Sequence, residues 1–152
     1  MQIQKVNNYT GNGYSHYSIN KNPQFKGSVD ESVMNFIDKC IKNECRNNRS
    51  LNINAVKTKW GEVLDILSHK AKQMSDDVSL KIVSSVDGGR WGMYQSDAML
   101  RVENSKVGNY IPIAYNVYEY NPSAGDIFIT SDKLKKVAEK INPERIDKLF
   151  IK

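Results

Sequence analysis

The stretch VSLKIVSSVDGGRWGMYQSDAMLRVENSKVGNYIPIAYNVYEYNPSAGDIFIT, residues 78–130, decides the fold. Apolar residues recur there at every second position: Val78, Leu80 and Ile82, then Ala98, Leu100 and Val102, then Ile111, Ile113, Tyr115 and Val117. Successive side chains of a strand point to opposite sides, so a period of two marks strands with one buried face. Between the runs lie Asp87-Gly88-Gly89, Asn104–Asn109 and Asn121-Pro122-Ser123-Ala124-Gly125, all residue types that suit turns. The stretch therefore predicts an antiparallel sheet of about four strands. Asp87-Gly88-Gly89 predicts a tight hairpin turn, with the return strand beginning at Trp91 and running through Tyr94. Pro112 has no N–H to give to a ladder, which places its strand at an edge or at a break in pairing.

On either side the period changes to that of a helix. Val33, Phe36, Ile37, Cys40 and Ile41 fall on one helical face, and Ser28-Val29-Asp30-Glu31 reads as a capping box ahead of them. A second helix beginning after Asn52 or Asn54 carries Val56, Trp60, Val63, Leu64, Leu67, Ala71 and Met74 on its stripe. Beyond the sheet, Thr130 or Ser131 caps a basic helix from Asp132 to Ile141, and Asn142-Pro143-Glu144 starts a short last helix. Helices, then strands, then helices is the order of an α+β fold rather than an alternating one. The N-terminal helix pair and the C-terminal helices are expected to pack on one face of the sheet. Residues 1–27 hold aromatics among Asn, Gly, Ser and Lys with little aliphatic residue, which predicts a mobile N-terminal tail. That leaves 28–152 as a single α+β domain.

A chain of 152 residues, 39% hydrophobic and 26% charged, can bury a core without disulfides or metals. No apolar run approaches the roughly 18 residues that span a bilayer. The start, Met1-Gln-Ile-Gln-Lys, lacks the apolar core of a secretory signal. These features predict a cytoplasmic location and no membrane partner. A net charge of +5, from 22 basic and 17 acidic residues, admits an anionic partner without requiring one.

Residues suited to chemistry are few. Cys40 and Cys45 are five apart, the wrong spacing for a redox pair or a zinc half-site. Cys40 falls in the apolar stripe, where it packs as a small hydrophobe, and Cys45 near the helix end is the better free thiol. His69 follows Asp65 by one turn and Glu62 by two, an arrangement that on a solvated face makes an ion pair rather than a catalytic group. Gly11-Asn12-Gly13 and Gly88-Gly89 lack the strand-then-helix setting of a phosphate loop. No cofactor and no metal site is expected.

What remains is binding. Arg90 and Trp91 sit at the tip of the hairpin, and both residue types are enriched in binding hot spots. Tyr110 and Tyr118 are expected to share one strand face, with Tyr94 joining them from a neighbour; rigid rings with polar tips suit a protein partner. The leading expectation is thus a small non-enzymatic module binding a protein through an exposed sheet face or the hairpin tip. The alternative is a nucleic-acid-binding protein using Lys133, Lys135, Lys136 and Lys140 of the basic helix. The helix–strands–helix order loosely resembles small double-stranded-RNA-binding domains, although an extra strand precedes the final helix and no matching basic loop motif is present. An enzyme with chemistry near His69 is the third reading.

Overall fold

The computed structural model describes residues 27–48, 50–88, 94–121 and 125–150. Among them run β1 (Ser28–Val29), α1 (Glu31–Asn47), α2 (Ile53–Lys72), β2 (Val78–Gly88), β3 (Tyr94–Asn104), β4 (Asn109–Ala114), β5 (Tyr118–Asn121), β6 (Gly125–Phe128), α3 (Ser131–Glu139) and α4 (Pro143–Phe150). The α+β class stands, but the sheet is mixed rather than antiparallel: residues 78–130 supply the described strands β2 to β6, and β1 joins them from outside that stretch. The parallel element is β1, whose Ser28 and Val29 pair with Ser79 and Leu80 of β2.

This pairing also explains why Ser28 does not cap the first helix. With Ser28 and Val29 committed to the sheet, the cap passes to Asp30, whose Oδ2 accepts from the Ser32 N–H at 2.9 Å. The Asp30 N–H donates to the Leu80 carbonyl at 2.8 Å. Two residues on, the Ser32 hydroxyl accepts from the Ile82 N–H at 3.1 Å, so a side chain continues the ladder where β1 has ended. The other starts follow the sequence closely. Asn52 accepts from the N–H groups of Asn54 and Ala55, Thr130 from that of Lys133, and Asn142 from that of Arg145.

β3 is the spine of the sheet. It pairs with β2 along its whole length, from Gly88 opposite Tyr94 to Val78 opposite Asn104. β2 is described to Gly88 and β3 from Tyr94; residues 89–93, where the expected turn ends and the return strand at Trp91 was expected to begin, lie outside the described residues. On its other side β3 meets β4 and then β5, which were expected as one continuous strand. The break is Tyr115–Val117, where Asn116 adopts φ 56°, a left-handed conformation that Asn tolerates better than most residues. Among the described residues β4 pairs with β3 alone, as Pro112 implies for an edge.

One face of this sheet is covered. Val78, Leu80 and Ile82 of β2 and Ala98, Leu100 and Val102 of β3 are buried together with Val33, Phe36, Ile37 and Cys40 of α1. The same core takes Trp60, Val63, Leu64 and Leu67 of α2, Leu134 and Ala138 of α3, and Ile146 of α4. Polar contacts tie the layer together. The Trp60 indole donates to Glu44 Oε1 at 3.0 Å across the helix pair, and Lys70 of α2 donates to the Glu139 and Ile141 carbonyls at the end of α3. The expected mobile tail lies outside the described residues except for Gly27, which is buried and donates its N–H to the Met74 carbonyl at 3.1 Å. No described helix is long and apolar enough to cross a membrane.

Candidate functional site

The two sheet faces separate the tyrosines that the alternation had placed together. Tyr110 stands opposite Glu103, on the face away from the helices, and is 44% exposed. Tyr118 stands opposite Phe128 and packs on it, on the helix side. The register shift between Leu100 and Arg101 inverts the phase, so that Ala114 stands opposite Leu100 on the helix side and Tyr118 keeps that phase across the turn at Asn116; a change of phase by one residue exchanges the faces of a strand. Tyr94 is placed by its backbone opposite Gly88. Arg90 and Trp91 lie outside the described residues.

The face away from the helices compensates charges among its described residues. Lys81 Nζ lies 2.9 Å from Glu103 Oε1, Arg101 Nε donates to Glu103 Oε2 at 2.8 Å, and Arg101 Nη2 also pairs with that oxygen. The Arg101 guanidinium lies over the Tyr110 ring, 4.1 Å from its centroid, a cation–π arrangement. Burial pushes the Glu103 carboxyl up, but hydrogen bonds from Lys81 and Arg101, with their charges, outweigh it and hold the group below its ordinary value. Lys81 is raised in turn, first by its hydrogen bond to Glu103.

The sign of the pH dependence follows. A carboxyl whose folded pKa is depressed stabilises fully above its unfolded value, about 4.3 for Glu, and loses that contribution as pH falls through the folded value. Lys81, raised, contributes fully below its unfolded value of about 10.4 and fades as pH rises through the folded one. Between pH 6 and pH 3 the urea midpoint of the native chain is therefore expected to fall more than that of Glu103→Gln. Equal falls would show that the cluster adds nothing to stability.

On the helix side the arrangement is different. Where α1 crosses the sheet, a groove of about 550 Å³ opens between the helix and strands β2, β3, β5 and β6. Its floor is Phe36, Ile82, Ala98, Tyr118 and Phe128. Ser32, Asn35, Lys39, Lys42, Asn43 and Arg46 of α1 form the wall. At 3.6 residues per turn, steps of three and four keep positions 35, 39, 42 and 46 on one stripe of the helix. The apolar positions Val33, Ile37 and Cys40 meanwhile turn into the core. The wall therefore presents three cations, and among the described residues no lining side chain is acidic. Arg46 is held by a 2.9 Å hydrogen bond from its Nη2 to Asn43 Oδ1. Lys39 and Lys42 make no ion pair among the described residues and are exposed.

Sequence reading missed this groove. Lys39 and Lys42 were part of the polar side of an amphipathic helix, and nothing in their spacing says that the sheet passes beneath them. A signal was present: basic residues at i, i+3 and i+7 with no acid among them on that stripe. The other sequence-derived candidates lie elsewhere. Lys135 pairs with Glu62 at 3.6 Å across α2 and α3, while Lys133, Lys136 and Lys140 are exposed. His69 is exposed, its Nε2 3.1 Å from Gln73 Nε2. Cys40 is buried, and burial, with the nearby Glu44 charge, pushes its thiol up, away from the reactive thiolate. Cys45 is half-buried against the core. Among the described residues no group of His, Cys, Asp and Glu could hold a metal ion. Compared with protein-family models, with curated proteins and with solved structures, the chain matches none of them.

Proposed function

We propose that this chain is a small non-enzymatic binding module and that the groove between α1 and the sheet is its binding site. One observation carries the reading: Lys39, Lys42 and Arg46 stand over an aromatic floor, with no carboxylate among the described lining residues. Pockets of about 300–1,000 Å³ with an apolar lining and a few convergent polar groups are the usual form of a ligand site. Unpaired cations beside a low-dielectric floor attract anions more strongly than cations spread in water. The described polar groups of the lining are ammonium, guanidinium, amide and hydroxyl groups, which is a chemistry for holding an anion rather than for moving a proton at neutral pH.

An aromatic sulfonate, 8-anilinonaphthalene-1-sulfonate, combines the two features that the groove asks for. The native chain is expected to bind it saturably, and Lys39→Glu/Lys42→Glu to bind it at least about tenfold more weakly at an unchanged melting temperature. Both lysines are exposed and bear no packing, so the fold is not expected to suffer. Fluorescence titration that finds no saturable binding, or equal binding by the variant, removes the groove as the site.

A further inference from the structure

The geometry of the floor discriminates between anionic partners. A single-stranded nucleic acid is held in a basic groove by stacking its bases on open aromatic faces. Here the rings are engaged with one another. Phe128 lies between Phe36 and Tyr118, with centroids 5.8 and 4.7 Å away and planes inclined by 54° and 40°. Phe36 is itself buried. A base has no parallel ring pair to enter, whereas the surface made with Ile82 and Ala98 suits an aliphatic or aromatic side chain inserted end-on.

The wall suits a peptide as well. From Lys39 to Arg46 the cations follow α1 for about 10 Å, at 1.5 Å per residue. An extended chain advances about 3.3 Å per residue, so a segment of three or four residues spans the row. Ser32, Asn35 and Asn43 add hydroxyl and amide groups along the same wall, and these can bond the main chain of such a segment.

Resting on the reading of the groove as the binding site, we infer that its partner is an acidic protein segment. Asp and Glu carboxylates of that segment meet Lys39, Lys42 and Arg46, and an apolar side chain seats on the Phe36–Tyr118–Phe128 floor. The mode is charge-complementary and screened by salt, with a Debye length of about 8 Å at physiological ionic strength.

Selection of random phage-displayed dodecapeptides against the full chain, with Lys39→Glu/Lys42→Glu as counter-target, tests the inference. Expected are enriched peptides rich in Asp and Glu around a Phe, Trp, Leu or Ile. Synthetic copies should bind the native chain at least about tenfold more tightly than the variant and weaken as salt is raised. No enrichment, enrichment without acidic residues, or equal binding to the variant overturns it. So does a fifteen-nucleotide oligothymidylate that binds more tightly than every selected peptide at the same salt; that result assigns the groove to nucleic acid. The sulfonate titration separates the two readings. Sulfonate binding without peptide binding sinks the acidic segment alone, and binding of neither sinks the groove as well.

Discussion

Trp60→Ala is expected to lower the unfolding free energy by about 3–5 kcal/mol, the range for removing a buried Trp or Phe. Trp60 is 1% exposed and packs in the core between the helix pair and the sheet. Its indole N–H is also the donor to Glu44 Oε1. The substitution leaves a cavity and takes a hydrogen-bond partner from a half-buried carboxylate at once. Against a total stability of about 5–15 kcal/mol for a domain of ordinary size, the loss moves the urea midpoint far toward zero denaturant. Trp60→Phe separates the two effects. It keeps most of the apolar volume and forfeits the donor, for a smaller loss of about 1–3 kcal/mol. Circular dichroism during urea unfolding measures both. A loss below about 1 kcal/mol for Trp60→Ala would contradict the packing of α1 on α2.

The second large effect comes from the smallest side chain. A Cβ added at Gly27 would lie 2.3 Å from the Ala71 carbonyl oxygen and 3.1 Å from Met74 Cβ. The first neighbour is backbone, tied into the end of α2 by the hydrogen bond from the Met74 N–H to the same oxygen at 2.9 Å. It has little freedom to step aside. Gly27→Ala is therefore expected to destabilise by about 1–3 kcal/mol, as overpacking does. At an unconstrained position the same change stabilises by about 0.4–1 kcal/mol, by restricting the unfolded chain. The sign of the shift in melting temperature thus reports whether the strand entering the sheet presses against α2.

Much of the fold was legible because it follows from periodicity and capping, which are local. The stripes Val33–Cys40 and Val56–Ala71 are the buried faces of α1 and α2, and Asn52, Thr130 and Asn142 cap where their side chains allow. What sequence missed is what depends on distant partners. Ser28 looked like a cap until β2 took its backbone into a parallel pair. Tyr110 and Tyr118 are eight residues apart and have equal parity, so simple alternation puts them on one face; a one-residue register shift against β3 puts them on two. The groove depended on the second of these, since its floor needs Tyr118 on the helix side, and on the polar side of α1 being laid over the sheet. Local patterns report which face of an element is apolar. They do not report what the polar face comes to overlie.

The margins of the sheet carry a consequence for self-association. β1 is two residues long and β6 four, while β4 carries Pro112, which offers no N–H, beside a shifted register. Short, interrupted or proline-bearing margins are poor templates for a further strand from another molecule, and such margins are how native sheets resist edge-to-edge aggregation. A six-stranded sheet with a flat, unbroken border would invite its own copies to extend it. At these three margins a neighbouring chain finds little to copy, which disfavours extension of the sheet there.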